Sequence, residues 1–293
     1  MTTVLETIEK GTAYLEKKGI DDARRHMQLL VNHQLNCSRV ELYMQFDRPM
    51  TEAELISLRE NLKRRGEGEP LQHILGTVEF YRREYKTDSR ALIPRPETEE
   101  LANIILNKCT GNDLKILDMG TGSGVLGITL AAELGGRCQE LTLADVSADA
   151  LSLAEENATL IGLGHYKLCE TDLFQELEEE TFHILAANLP YIAETDRDQL
   201  STEVLRDPDS ALFGGKDGLD ILRHFIQQAP SHLHSGGMIA LEIGHDQAAA
   251  VEELLQAAGF SDIHTHKDLN GIARFPIATL PGSPEPEPTP ISS

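Results

Sequence analysis

The sequence predicts an α/β domain, a parallel sheet with helices on both faces, preceded by a small helical bundle. Three observations predict it. From Lys115 onward, short apolar runs alternate with helical periodicity, the pattern of strands joined by crossover helices. The first of these strands runs into a glycine-rich turn, Gly120-Thr121-Gly122-Ser123-Gly124, at the edge where such sheets bind ligands. Roughly the first 65 residues carry helical periodicity alone. With 293 residues, 40% of them hydrophobic, the chain is long enough to bury one large core and one small one.

Val4, Leu5, Ile8 and Leu15 mark one apolar helix face that ends near Gly19, and Asp21 or Asp22 is placed to cap a second helix carrying Met27, Leu30 and Val31. Thr51-x-x-Glu54 is a capping box opening a helix with Leu55, Leu58 and Leu62. The cations Lys63-Arg64-Arg65 and then Gly66 close it. Residues 1–75 contain no acid–base cluster and read as a binding module. Glu79 to Tyr85 has the aromatic content of a strand, and Pro94-Arg95-Pro96 forces an extended path, so 76–95 reads as a connector. Phe80 within it reads as a packed core aromatic. The helix from Glu97 to Lys108 opens a domain over 96–279. Its predicted strands cover 116–118, 141–145, 166–169, 182–187, 238–242 and 272–277. Its further helices run from the glycine turn through Ala132, over 147–160 and over 247–258. Residues 280–293 are Pro-rich and predicted to be disordered.

Charge is distributed unevenly. The total is −22, yet through Arg90 there are 15 basic and 15 acidic residues, against 11 and 33 from Ala91 onward. Stable binding along a nucleic-acid backbone needs clustered Lys and Arg, which this balance disfavours, as it does an anionic membrane surface. No apolar run approaches the roughly 20 residues of a membrane span, and the N-terminus lacks the basic and apolar stretches of a signal peptide. Four scattered cysteines without a C-x-x-C pair suit a reduced, cytoplasmic protein and argue against zinc. His232-x-His234 and His264-x-His266 read as surface histidines on strand faces rather than as metal ligands.

The chemistry concentrates at the ends of the strands. Asp118-x-Gly120-x-Gly122-x-Gly124 suits S-adenosylmethionine, and Gly122-x-Gly124-x-x-Gly127 formally matches a dinucleotide fingerprint. Asp118 separates the two, because an acid ahead of the loop suits the ammonium group of a methionine moiety and repels a pyrophosphate. Asp145, ending the second strand, is placed for ribose hydroxyls, and Asp172, after the third, for an adenine amino group. Asn188-Leu189-Pro190-Tyr191 follows the fourth strand. The Asn188 side-chain oxygen and the Leu189 carbonyl form a pair of acceptors for one planar –NH2, Pro190 stiffens the turn, and Tyr191 is placed to stack on the planar group. Such a site positions an amide or exocyclic amine for methylation.

Four segments resemble the peptide chain release factor N5-glutamine methyltransferase family. They are Leu92-Ile93-Pro94-Arg95-Pro96-Glu97-Thr98-Glu99, the loop from Leu117 to Gly124, Glu203 to Pro208 continuing through Ala211-Leu212-Phe213-Gly214-Gly215, and the helical N-terminal domain with its hairpin connector. The resemblance runs from the helical N-terminus to Ile277. It implies a Rossmann-like S-adenosylmethionine-dependent methyltransferase domain with a helical bundle and a β-hairpin connector. It also implies methyl transfer to the glutamine of a Gly-Gly-Gln motif in release factors, the helical domain helping to hold that substrate. Cofactor contacts fall on Asp118, Gly120, Thr121, Gly122, Ser123, Gly124, Asp145, Asp172, Leu173 and Asn188, and substrate contacts on Asn188 to Tyr191 and Arg95. Two positions depart from the family's usual pattern: Leu189 replaces a proline, and Leu173 an aromatic residue. N-L-P-Y also occurs in ribosomal RNA adenine dimethylases. A ribosomal-protein glutamine and a nucleic-acid adenine therefore remain as alternative acceptors, and a non-catalytic or nicotinamide-binding protein as a further reading. Arg95 is either a clasp near the site or an ion pair between domains. No metal is expected, and the protein is expected to act as a monomer.

Overall fold

The computed structural model describes residues 2–282, so most of the Pro-rich tail lies outside the described residues. Leu280 is still tied in, exchanging backbone hydrogen bonds with Gly236 and Gly237 at 2.9 Å each, so ordered structure extends into the segment predicted to be disordered. Two units are present. One comprises residues 2–78, 87–89 and 201–206, the other 79–86, 90–200 and 207–282.

The first unit holds α1 (Val4–Lys17), α2 (Ala23–Leu35), α3 (Arg39–Met44), α4 (Glu52–Gly66) and α5 (Leu71–Leu75). Val4, Ile8, Leu15, Met27, Leu30, Leu42 and Leu58 share one core. Capping boxes start α1, α3 and α4, through Thr3 with Glu6, Ser38 with Glu41 and Thr51 with Glu54. Asp22 precedes α2 but makes no side-chain cap bond, contrary to expectation. Its left-handed backbone, φ 50°, departs from the extended conformation that aims a cap side chain at the first turn. The segment 201–206 also belongs here, although the sequence reading assigned it to the second domain. One tie is electrostatic. Arg65 on α4 is 2% exposed and needs a counter-charge, which Glu203 supplies at 2.7 Å, while the Glu69 carbonyl accepts at 2.9 Å.

Strands β1 (Thr77–Phe80) and β2 (Arg83–Lys86) pair as a hairpin. Tyr81 and Arg82 both have positive φ, as a two-residue hairpin turn of the right twist requires. Phe80 packs edge-on against Tyr85, both buried. The second unit continues through α6 (Pro96–Lys108), β3 (Leu114–Met119), α7 (Val125–Leu134), β4 (Cys138–Asp145), α8 (Ala148–Ile161), β5 (Lys167–Glu170) and β6 (Phe182–Ala187). It ends with α9 (Asp209–Leu212), α10 (Asp220–Gln228), β7 (Leu233–Leu241), α11 (Ala248–Ala257), β8 (Ser261–Lys267) and β9 (Ala273–Thr279).

The sheet order is β5-β4-β3-β6-β7-β9-β8. Strands β3 to β7 pair in parallel, whereas β9 is antiparallel to both of its neighbours. The parallel sheet expected from the sequence is present, and the antiparallel β9 and β8 are added at one edge. The short turn after β8 permits only a hairpin, and a parallel return needs a crossover of a dozen residues or more. Chain order reverses between β3 and β6, which makes their carboxyl ends the switch point where open sheets bind ligands. Register does the rest. Met119 pairs with Ala144 and Ala187, and Ala187 with Leu241. The next residue on each strand therefore falls in one row: Asp145, Gly120, Asn188 and Glu242.

Candidate active site

Asp145, Gly120 and Asn188 of that row line a cavity of about 430 Å³, and Glu242 lies outside its walls. Its walls include Asp118, Gly120, Thr121, Gly122, Ser123, Asp145, Asp172, Leu173, Asn188, Leu189, Pro190 and Arg95. Two residues singled out from the sequence are not among the lining residues, Gly124 and Tyr191. Gly124 instead caps α7 with φ 82°, packed against Ile128 and Ala154. The Tyr191 ring packs on the sheet core, and burial pushes its phenol up to about 12. Its carbonyl accepts a hydrogen bond from Gln247 Nε2 at 2.9 Å.

The glycine loop is held from three sides. The Thr121 amide donates to the Ala144 carbonyl at 3.0 Å, and Gly122 to Asp145 Oδ2 at 2.9 Å. Asn157 on α8 is fully buried, and its Nδ2 donates to the Ser123 carbonyl at 2.9 Å and to the Lys86 carbonyl at 3.1 Å. Gly120 has φ 66°, and a Cβ there would lie 2.7 Å from Leu189 Cδ2. A left-handed backbone and a close neighbour both demand glycine. The contact also ties the loop to the tetrapeptide.

Asp118 is 1% exposed, with both hydrogen bonds on Oδ2: the Thr121 hydroxyl at 2.6 Å and the Gly127 amide at 2.8 Å. Burial, aided by the like charge of Asp145, raises its carboxyl to about 6. Gly127 has no room for a Cβ, which would meet Asp118 Oδ2 at 2.9 Å. The third glycine of the apparent dinucleotide fingerprint thus lets α7 pack closely on β3 and β4, a role that by itself does not separate the two cofactors. Asp145 accepts from Gly122 and, through Oδ1, from the Ser147 amide at 2.9 Å, and burial raises its carboxyl too. A buried carboxyl and a half-buried one with no cation among their hydrogen-bond partners fit a positively charged ligand bearing hydroxyls, and disfavour a pyrophosphate. Asp172 is exposed at the rim, and Leu173, with φ 51°, lines the wall beside it.

At the other end, Asn188 Nδ2 donates to Thr98 Oγ1 at 3.2 Å, and Thr98 in turn donates to Glu242 Oε2 at 2.7 Å. Glu242 is 1% exposed, and burial pushes its carboxyl up to about 7. Arg95 pairs with the fully buried Asp207 carboxylate at 2.8 Å, and the Ile93 amide donates to the same group at 3.3 Å. Both partners lie in the second unit, so this is an ion pair within it, not between domains. Gly214 donates to the Ile192 carbonyl at 2.9 Å, fixing the main chain just after the tetrapeptide.

Asn157, Thr98, Glu242 and Gln247 escaped the sequence reading. Two carried a signal. An Asn in mid-helix competes with the backbone unless its amide has a specific partner, and a Glu ending an apolar strand is buried at a cost. Among the described residues, no group of His, Cys, Asp or Glu is placed to hold a metal ion, and no helix is long and apolar enough to cross a membrane.

Residues 6–76 match the PrmC N-terminal domain and residues 97–215 the methyltransferase small domain. A release factor glutamine methyltransferase from Rhodopirellula baltica is 34% identical over 282 residues, covering 93% of this chain and 95% of that protein. One from Geobacter sulfurreducens is 36% identical over 273 residues, covering 93% and 95%. Among solved structures, a Pyrococcus furiosus methyltransferase shares the fold at a TM-score of 0.51 and 20% identity, covering 68% of this chain and 89% of that one. A T. thermophilus 16S rRNA methyltransferase in complex with AdoMet and guanosine gives 0.50 at 18% identity, covering 71% and 50%.

Proposed function

The chain belongs to the release factor glutamine methyltransferase family, and from that premise we propose that it methylates the side-chain amide nitrogen, N5, of the glutamine in a release factor's Gly-Gly-Gln motif. S-adenosylmethionine supplies an electrophilic sulfonium methyl when bound. Asp118 offsets the positive charge of that cofactor, the loop from Gly120 to Ser123 receives its methionine portion, and Asp145 accepts from its ribose hydroxyls. Leu173 gives the adenine an aliphatic wall, with Asp172 at the rim for its amino group.

The single observation that carries the reading is the commitment of Asn188 Nδ2 to Thr98. It leaves Oδ1 as the end of the carboxamide offered to a ligand. Together with the Leu189 carbonyl, this oxygen accepts the two hydrogens of a primary amide. An amide nitrogen is a weak nucleophile because its lone pair is delocalised. Holding it in line and favouring positive charge on its hydrogens lowers the barrier without a strong base. Leu189 keeps the backbone carbonyl that a proline would offer. Arg95, held by Asp207, lines the cavity where the acceptor enters.

The same reading implies a cytoplasmic protein, acting as a monomer on a protein rather than a nucleic-acid substrate. Labelled methyl transfer to release factor, ribosomal proteins and rRNA, run side by side, tests it. Label is expected on the release-factor glutamine, and label only on rRNA or ribosomal protein overturns the assignment. Asn188→Ala should lower turnover at least 100-fold while S-adenosylmethionine affinity by calorimetry changes less than about threefold, as expected for a contact realised in the transition state.

A further inference from the structure

We propose that Thr98 and Glu242 are positioning residues that decide which end of the Asn188 carboxamide faces the acceptor, with the charge on Glu242 as the switch. The inference rests on Asn188 as the residue that receives the acceptor amide.

An ionised carboxylate only accepts hydrogen bonds. Thr98 Oγ1, 2.7 Å from Glu242 Oε2, must then spend its one hydrogen on Glu242. What Thr98 offers to Asn188 is lone pairs alone, and the group 3.2 Å away must be the amide Nδ2. Asn188 also lies close enough to Glu242 to favour its ionised form. Each bond fixes the direction of the next, so the cavity is presented with Oδ1, an acceptor matched to the –NH2 of a primary amide. Protonation of Glu242 removes that polarity. Its O–H can donate to Thr98, the Thr98 hydroxyl is released to donate to Asn188 Oδ1, and the rotated carboxamide shows the incoming –NH2 two like donors.

The groups facing Glu242 come from three elements: Glu97 and Thr98 on α6, Asn188 and Tyr191 after β6, and Arg274 on β9. Thr98, Arg274 and Asn188 favour the carboxylate and Glu97 opposes it, but burial outweighs them and holds the carboxyl up at about 7. The switch therefore operates in the neutral range.

The test uses the full chain as wild type, Thr98→Val, Thr98→Ser and Glu242→Gln, with two readouts. The first is the pH profile of methyl transfer to release factor, with S-adenosylmethionine affinity as the control for folding. Wild type should show an acid limb with a midpoint near 7, and Glu242→Gln should lack it. Thr98→Val should lower kcat roughly 10- to 100-fold with cofactor affinity within twofold, the range of a hydrogen bond to a charged group. Thr98→Ser should restore it. The second readout is the side-chain amide NMR signal of Asn188, assigned by its loss in Asn188→Ala. It should titrate with the same midpoint in wild type and stay fixed in Glu242→Gln. An acid limb that persists in Glu242→Gln, or an unchanged kcat in Thr98→Val, overturns the proposal. An Asn188 signal that titrates in a protein inactive on release factor supports the switch and overturns the functional reading instead.

Discussion

Replacing Glu242 with Gln should make the protein more stable above neutral pH. The carboxyl is buried and pushed up to about 7 from the 4.5 of an ordinary glutamate. Below about pH 4.5 it is protonated in the folded and unfolded chains alike, and its contribution to stability is complete. As pH rises towards 7 the unfolded chain releases the proton and the folded one retains it, so stability falls. Above about 7 the loss is complete. At 1.36 kcal/mol per tenfold change in proton affinity, it amounts to about 3 kcal/mol. Glu242→Gln abolishes this titration, and comparing it with wild type at each pH cancels the general repulsion of a chain carrying −22 charges. Urea midpoints at pH 5 and pH 8.5 give the difference. The advantage of the variant should grow by about 2–3 kcal/mol between them. An advantage equal at both pH values refutes the idea that a destabilised carboxylate is retained here at neutral pH. With the loss of the acid limb in the pH profile, the pair of results would make Glu242 a residue kept for activity at the expense of stability.

Other expectations follow from the same geometry. Gly120→Ala forces a Cβ to 2.7 Å from Leu189 Cδ2 in a left-handed backbone. It should cost about 1–3 kcal/mol in urea denaturation and weaken S-adenosylmethionine binding at least tenfold by calorimetry, and unchanged affinity would show that the loop tolerates displacement. Glu203→Ala removes the carboxylate from the buried Arg65 guanidinium. It should destabilise by about 1–3 kcal/mol, less than a fully enclosed pair because Glu203 is half exposed. A urea midpoint equal to wild type would mean that the Glu69 carbonyl suffices.

Much of the site could be read from strand ends. Asp145 and Asn188 each stand where an apolar run stops, and a parallel sheet brings such ends to one edge. The glycine loop was visible because its residues reflect a local backbone need. What stayed hidden depends on register between distant strands. Nothing in the sequence pairs Thr98 with Glu242, since they meet only when β7 lies beside β6 with Ala187 opposite Leu241. The antiparallel β9 was hidden for a related reason, because an apolar run has the same composition in either direction. Which way the Tyr191 ring faces was not legible either, because a residue beside a turn can face the cavity or the core.

The pairing of Arg65 with Glu203 also orders events during synthesis. Helices α1 to α5 leave the ribosome early, but the carboxylate that neutralises their buried guanidinium lies 138 residues further on. At about 5–20 residues per second, the helical unit waits roughly 7–30 s for its last piece. Until then the Arg65 guanidinium lacks this carboxylate, which follows β3 to β6 and precedes β7 to β9 along the chain.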